Sequence, residues 1–287
     1  MAVKALACAR PRQLRLPLAR LHVPDIRSEV ISQGLVADIS GTTIWRWLSE
    51  DALRPWAHRS WIFPRDPDFE RKAAVVLDLY ARRYQGQRLG LHEYVLCADE
   101  KTSIQARVRR HESTPARPGR PVRVEHEYER GGAVAYLAAY DVHRAKLFGR
   151  IEPTTGIAPF GRLVDQVMSK EPYRSARRVF FIVDNGSSHR GAAAARRLAA
   201  SYPNLVLIHL PVHASWLDQI EIYFSIVQRK VLTPNDSLSV DEIGRRVLDF
   251  QARYEESATP FEWKFTRRDL TRLLQRLDQA TALSPAA

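Results

Sequence analysis

Cysteine is nearly absent from this chain of 287 residues: Cys8 and Cys97 are the only two. Two thiols without paired spacing exclude a disulfide framework and a zinc ribbon. His209 and His213 flank the end of an apolar run with no thiol beside them, which leaves no zinc ligand set there either. Long hydrophobic runs are also lacking. No segment reaches the roughly 18–20 apolar residues of a membrane-spanning helix. The stretch Ala5 to Ala9 is too short for a signal-peptide core and leads into Arg10, Arg12 and Arg15. The expectation is a soluble cytoplasmic protein without membrane association. Acidic residues are the minority charge, 32 Asp and Glu against 44 Lys and Arg, for a net charge of +12 and a pI of ≈ 10.0. Such an excess attracts polyanions, nucleic acid first among them. Internal repeats and low-complexity tracts are missing too, and a hydrophobic fraction of 45% with 26% charged residues supports a sizeable core. The length favours a catalytic-size core with a smaller appendage.

The residues from about Asp25 to Leu53 predict two short helices around a turn. Asp25 is suited to cap the first and Gly34 to end it, while Ser40 precedes a second helix with Ile44, Trp47 and Leu48 on one face. This is the layout of a helix-turn-helix, in which Thr42, Thr43 and Arg46 would face a DNA groove; an ordinary helical hairpin with two core tryptophans fits the same residues. Pro55, Pro64 and Pro67 mark a linker with Trp56 and Trp61 between them. The expected organisation is an N-terminal segment over 1–62, a linker and connecting helix over 63–90, a core over 91–235 and C-terminal helices over 236–287.

From Glu93 the pattern alternates. Tyr94 to Ala98, Ala133 to Tyr140, Lys146 to Ile151, Val179 to Val183 and Leu205 to Leu210 predict five strands. Ile157 to Ser169, Ser188 to Tyr202, a helix starting at Ser215 and passing through Leu217, Ile220, Phe224 and Val227, Val240 to Glu255 and Arg267 to Leu277 predict helices. The fold class that follows is α/β, a mixed five-stranded sheet flanked by helices on both sides.

Two apolar strands end in carboxylates, Asp99 and Asp184, at the position where α/β sheets commonly line a site. Glu221 shares a helical face with Leu217 and Phe224, so its charge is aimed toward the sheet. A lone carboxylate there is costly; a shared cation, or a salt bridge to one of the many arginines, compensates it. Three hard oxygen donors suit Mg²⁺ or Mn²⁺, and two such ions can promote displacement at a phosphodiester. Arg107, Arg109, Arg110, Arg117, Arg120 and Arg123, against the single acid Glu112, predict a basic loop for DNA backbone contacts, or else a solvated linker.

Around these acids the motifs Cys97-Ala98-Asp99-Glu100-Lys101-Thr102, Glu125-His126-Glu127-Tyr128 with Arg130 and Gly132, Val183-Asp184-Asn185 with His189, and Pro211 through His213 to Glu221 resemble the insertion sequence 630 family of transposases. That bacterial family lies in the mariner-like DDE superfamily. The resemblance spans roughly Ser28 to Leu232. It implies a ribonuclease H-like catalytic core with an N-terminal helix-turn-helix, and cleavage at terminal inverted repeats followed by strand transfer into target DNA. It also implies a homodimer on double-stranded DNA, near the nucleoid. Asp99, Asp184 and Glu221 would be the catalytic metal ligands for two Mg²⁺ or Mn²⁺ ions; Glu100, Asn185, His189, His213 and Asp218 are secondary candidates. His189 could contact phosphate or simply cap a helix. Asp218 stands where the family usually has Asn; it would either perturb metal binding or, as the favoured expectation, remain solvated at the helix N-terminus. About forty residues precede the recognition-like helix, fewer than the paired arrangement common in the family. A shortened, catalytically inactive DNA-binding derivative is therefore the alternative, and a ribonuclease H-like nuclease without strand joining is a third reading.

Overall fold

The computed structural model describes residues 1–58, 64–186 and 191–282, with the side chains of 191–195 and 280–282 outside that description. The chain divides into two compact units, Met1–Phe63 and Pro64–Ala287.

Among its described residues the first unit holds three α-helices, α1 (Ala2–Ala7), α2 (Val23–Ser32) and α3 (Gly41–Glu50), with a 3₁₀ turn over Pro11–Leu14. Val3, Leu6 and Ala7 of α1 share one core with Ile26, Val30, Ile44 and Leu48. The apolar stretch near the N-terminus is thus one wall of this core, a helix that its six residues are too few to announce without neighbours. Helix α2 begins at Val23, ahead of Asp25; the Asp25 carboxylate reaches back to accept the His22 N–H at 2.9 Å. Gly34 ends the turn at φ +67°, a conformation suited to glycine, and Leu35 N–H bonds Val30 O at 2.9 Å. Ser40 caps α3 through the Thr43 N–H at 3.1 Å. Of the two tryptophans, Trp47 packs on the core while Trp45 is 55% exposed.

The second unit opens with α4 (Phe69–Tyr80) and a small hairpin of β1 (Arg83–Tyr84) and β2 (Gln87–Arg88). Then come β3 (Glu93–Val108), β4 (Glu129–Asp141), β5 (Lys146–Glu152), α5 (Ile157–Met168), β6 (Arg178–Val183), α6 (Gly191–Ser201), β7 (Leu205–His209), α7 (Ile220–Lys230), α8 (Val240–Glu255) and α9 (Arg267–Ala282). The sheet order is β5-β4-β3-β6-β7. Strands β3, β4 and β5 pair antiparallel, and β6 and β7 add on parallel.

Both faces are covered, and the period of two shows it. Val95, Cys97, Phe180 and Ile182 enter the core formed with α4, α7, α8 and α9. Their neighbours Leu96, Ala98, Val179, Phe181 and Val183 enter the opposite core with α5 and Leu198 of α6. The connecting helix α4 and the C-terminal helices α8 and α9 were separate segments on sequence grounds. Here Leu77, Ile243, Val247 and Leu270 join the sheet's own core, because each amphipathic face needs that apolar surface.

Strand β3 is much longer than the apolar run Tyr94 to Ala98. Beyond Asp99 it continues as a ribbon with β4, reaching the pair Val108–Glu129, with register irregularities after Lys101 and Gln105. Arg107 therefore belongs to a strand and not to the basic loop. Among the described residues no helix is long and apolar enough to cross a membrane.

Candidate active site

Asp99 and Asp184 are brought together by register. In the parallel pairing of β3 with β6, Cys97 lies opposite Ile182. Each aspartate follows two positions later, so the acids extend adjacent rows about 4.8 Å apart. The alternation that sends Cys97 toward the α7 side sends Asp99 there too. Glu221 meets them from the first turn of α7.

All three are half-buried. Asp99 carries the electrostatic record of the cluster. Burial, followed by the charges of Asp184, Glu100 and Glu221, pushes its carboxyl up to about 7 against the opposing hydrogen bond from Glu100 N–H. That bond measures 2.7 Å, and Asp184 Oδ1 likewise accepts from Gly186 N–H at 2.6 Å. Each aspartate thus has one oxygen held by the backbone that follows it, the strand itself after Asp99 and the bend at Asn185 after Asp184.

This concentration of hard oxygen donors fits Mg²⁺ or Mn²⁺ in chemistry and in sign. Among the described residues, no three His, Cys, Asp or Glu side chains already form a closed ligand group. The carboxylates sense one another's charge without converging on one point.

Asp218 corrects the sequence expectation. It is 1% exposed, not solvated. The reason is where the helix starts: a 3₁₀ turn occupies Ser215–Leu217, Asp218 is extended, and α7 begins only at Ile220. Asp218 Oδ1 accepts the Ile220 N–H at 3.2 Å. Its Oδ2 is buried beside the Cys97 thiol, with no well-formed hydrogen bond to any described residue. Burial, and then the charge of Asp99, raises its carboxyl well above the usual range. Ser215, expected to start the helix, is instead the first residue of the separate 3₁₀ turn.

Other candidates divide by location. Asn185 Nδ2 donates to Leu210 O at 2.8 Å, tying the ends of β6 and β7. His213, exposed and at φ +61°, lines a cleft of about 370 Å³ with Asp184, Asn185 and Ser215. His189 lies outside the described residues. Thr42, Thr43 and Arg46 sit on α3 in the first unit; the Thr43 hydroxyl is 2.8 Å from Ser40 Oγ within the cap, while Thr42 and Arg46 are exposed.

The six arginines split into two kinds. Arg107 lies over the Tyr128 ring at 4.7 Å and Arg109 at 5.8 Å. Arg109 also donates to Glu125 O at 2.7 Å and to Asn235 O, which fastens the loop to the core. Arg110, Arg117, Arg120 and Arg123 are exposed on an arm closed by bridges Thr114–Arg123 and Arg117–Arg120.

Two participants escape the sequence reading. Lys101 follows Asp99 by two positions, and Glu221 opposes the burial that lowers its ammonium pKa. Alternation along β3 would have shown it had the strand not been ended at Ala98. Tyr80, from α4, donates to Leu217 O at 2.7 Å and lies 3.1 Å from Cys97 Sγ, bracing the segment that carries Asp218. No sequence pattern links positions so far apart.

The raised Asp99 carboxyl has a thermodynamic consequence. Its folded pKa of about 7 exceeds the unfolded value near 3.8, so the folded state holds the proton longer. Its contribution is greatest below the unfolded pKa and is lost as pH rises toward 7, by about 4 kcal/mol at most. Urea titrations in chelator at pH 5 and pH 8 are expected to show a larger stability loss for the wild type than for Asp99→Asn, with Mg²⁺ restoring wild-type stability at pH 8. Equal losses in the two proteins would refute the assignment.

The family described as DDE superfamily endonuclease matches residues 94–243. Among solved structures, the Mos1 mariner paired end complex with Mn is 17% identical, covering 93% of this chain and 79% of that one at a TM-score of 0.54. The Mos1 transposase paired-end complex with left transposon end is 16% identical, covering 98% of this chain and 77% of that one at a TM-score of 0.55. No curated protein sequence matches. The likeness to these structures, with the strand order above, makes the core a ribonuclease H-like α/β fold.

Proposed function

Because the chain belongs to the DDE superfamily endonuclease family, we propose that it is a DNA transposase of the insertion sequence 630 group, cleaving at terminal inverted repeats and transferring strands into target DNA. The observation that carries this reading is the side-by-side placement of Asp99 and Asp184 at the end of the β3–β6 pairing, within electrostatic reach of Glu221. Asp99, Asp184 and Glu221 would hold two Mg²⁺ or Mn²⁺ ions. Divalent ions bound there supply activation of the attacking oxygen and stabilisation of the leaving oxygen.

The chain's own residues do the positioning. The backbone N–H groups of Glu100 and Gly186 fix one oxygen of each aspartate. Lys101, on the same side of β3, brings a cation to the phosphate oxygens, where a positive charge lowers the repulsion between an anionic strand and the carboxylates. Glu100, Asn185, His189, His213 and Asp218 are assigned to support this site. The exposed arginines of the β3–β4 arm and Thr42, Thr43 and Arg46 of α3 are assigned to DNA. The net charge of +12 supports this partner. Binding of two transposon ends calls for a homodimer, and a bacterial cytoplasm near the nucleoid is the setting that reading requires.

The test is a duplex carrying the element's inverted repeat, incubated with the full chain in Mg²⁺ or Mn²⁺. Cleavage at the repeat end and covalent joining of the 3′-hydroxyl to a second duplex are expected. Cleavage without joining would reduce the assignment to a nuclease. Asp218, a further acid buried beside Asp99, favours a second reading, a DNA-binding derivative without catalysis. Repeat binding with no cleavage in either metal would establish it.

Arg46→Ala is expected to weaken repeat binding by about 10-fold, as loss of one base-edge contact costs about 1–3 kcal/mol, and to leave the melting temperature unchanged. Fluorescence anisotropy against repeat and scrambled duplexes checks this, and equal loss on both would identify Arg46 as a backbone contact.

A further inference from the structure

The end of the sheet away from the carboxylates carries a cavity of about 780 Å³ whose lining includes Arg82, Arg88, Tyr94, His143, Arg144 and Glu171. Tyr94 precedes Asp99 by five positions on β3, about 17 Å along the strand, and packs on the opposite face. The walls come from the β1–β2 hairpin, the β4–β5 turn and the segment around Pro172.

Two of its arginines are oriented by groups other than carboxylates. Arg82 Nη2 donates to Gly90 O at 3.0 Å. The Arg144 guanidinium lies over the rings of Tyr94 at 5.6 Å and Tyr173 at 5.9 Å. Arg88 is exposed on β2.

The acids of the lining are engaged elsewhere. Asp141 is buried; its Oδ1 accepts the His143 and Arg144 N–H groups at 3.1 and 3.2 Å, and its Oδ2 accepts the Tyr173 hydroxyl at 2.9 Å. This carboxylate builds the turn that presents Arg144. Glu171 accepts from Arg174 Nε at 3.0 Å and from the Ser175 hydroxyl at 2.5 Å. Three guanidinium groups therefore face one cavity, with no ion pair to any described residue. The exposed Arg177, whose N–H bonds His92 O at 2.9 Å, extends the positive charge along this edge.

A guanidinium already held by ring faces and carbonyl oxygens loses little further freedom on meeting an anion, and its planar fork suits phosphate oxygens. We infer that this cavity binds phosphate groups of the DNA backbone, a second duplex contact at the opposite end of the sheet from the carboxylates. It rests on the transposase reading only for the choice of DNA as the polyanion. Free inorganic phosphate presents the same chemistry from another source. Cations drawn from two separate chain segments, the β1–β2 hairpin and the β4–β5 turn, suit successive backbone phosphates better than a single ion.

The test compares the full chain with the triple variant Arg82→Gln, Arg88→Gln, Arg144→Gln. The dissociation constant for a long duplex is measured by anisotropy across a KCl series. The slope of log affinity against log salt is expected to become shallower by about two to three, near 0.9 per lost phosphate contact. Cleavage of a short duplex spanning only the repeat end is expected to stay within twofold. Should the triple variant fail to fold, Arg88→Gln alone changes one exposed side chain and is expected to change the slope by about 0.9.

An unchanged slope, or a wild-type chain that does not bind duplex, overturns the inference. So does calorimetric binding of inorganic phosphate that the variant loses without any change in the duplex slope. If the slope falls while the wild type cleaves nothing, the inference stands and the transposase reading fails. If the wild type cleaves and joins while the slope is unmoved, the inference alone fails.

Discussion

Asp184→Ala is expected to abolish Mg²⁺-dependent cleavage of inverted-repeat DNA, by about 10³-fold or more, the upper end of the loss when one transition-state electrostatic contact is removed. Affinity for the same DNA should remain within a few-fold. The expectation follows from register: Asp184 has no substitute at its level of the sheet, since Val183 before it is buried in the opposite core. Asn185 after it is tied to Leu210 O. Single-turnover cleavage and anisotropy on the same preparation check the two halves of the statement. A mutant that still cuts would show that Asp184 is not a ligand; a mutant that neither cuts nor binds would point to misfolding, which its melting temperature would reveal. Asp99→Asn should behave alike, with the added loss of the pH-dependent stability described above.

The second large effect is on stability. Gly149→Ala is expected to cost about 3 kcal/mol, the scale of forced overpacking in a core. Gly149 lies on β5 opposite Ala138. A methyl group there would meet the Tyr136 ring edge and its hydroxyl at 2.6 Å each, as well as Gln251 Oε1. Tyr136 cannot easily retreat: it is fully buried, and its hydroxyl donates to Gln251 at 2.8 Å. Since Gln251 belongs to α8, the strain should loosen that helix from the sheet. Urea denaturation measures the loss. Adding Tyr136→Phe removes one clashing atom and should recover part of it; a loss below about 0.5 kcal/mol for Gly149→Ala would show that the β5–α8 packing is looser than described.

Much of this architecture is legible in the residues. The five apolar runs all become strands because strands buried on both faces must be apolar at every position, as Val179 to Val183 are. Asp99 and Asp184 stand out because a carboxylate ending such a run interrupts it. The second half of β3 is hidden for the converse reason. From Asp99 to Val108 only Ile104 and Ala106 are buried, so no apolar run marks the strand, and its pairing is provided by β4 from more than twenty residues away. The burial of Asp218 is hidden because helical periodicity continues smoothly back to Ser215. The break in the helix before Ile220 comes from packing of Leu217 and from Tyr80 on its carbonyl, neither of which is local. Helix α1 is illegible for a third reason: six residues form a helix only when partners bury one side.

The order of the strands also bears on synthesis. Strand β3 emerges with its hairpin partner β4 close behind, and that antiparallel half can form while the chain is still growing. Its other edge is filled by β6, whose Arg178 pairs with Glu93, 85 positions apart; α7 arrives later still. Contacts of such separation form slowly, because a long loop must close first. A nascent chain released before α7 therefore has a folded hairpin but no assembled carboxylate cluster. On the roles proposed for Asp99, Asp184 and Glu221, a chain built in this order would stay silent on the ribosome until nearly all of its core has been made, and one ended upstream of Glu221 by a frameshift or premature stop would be expected not to cut the chromosome that encodes it.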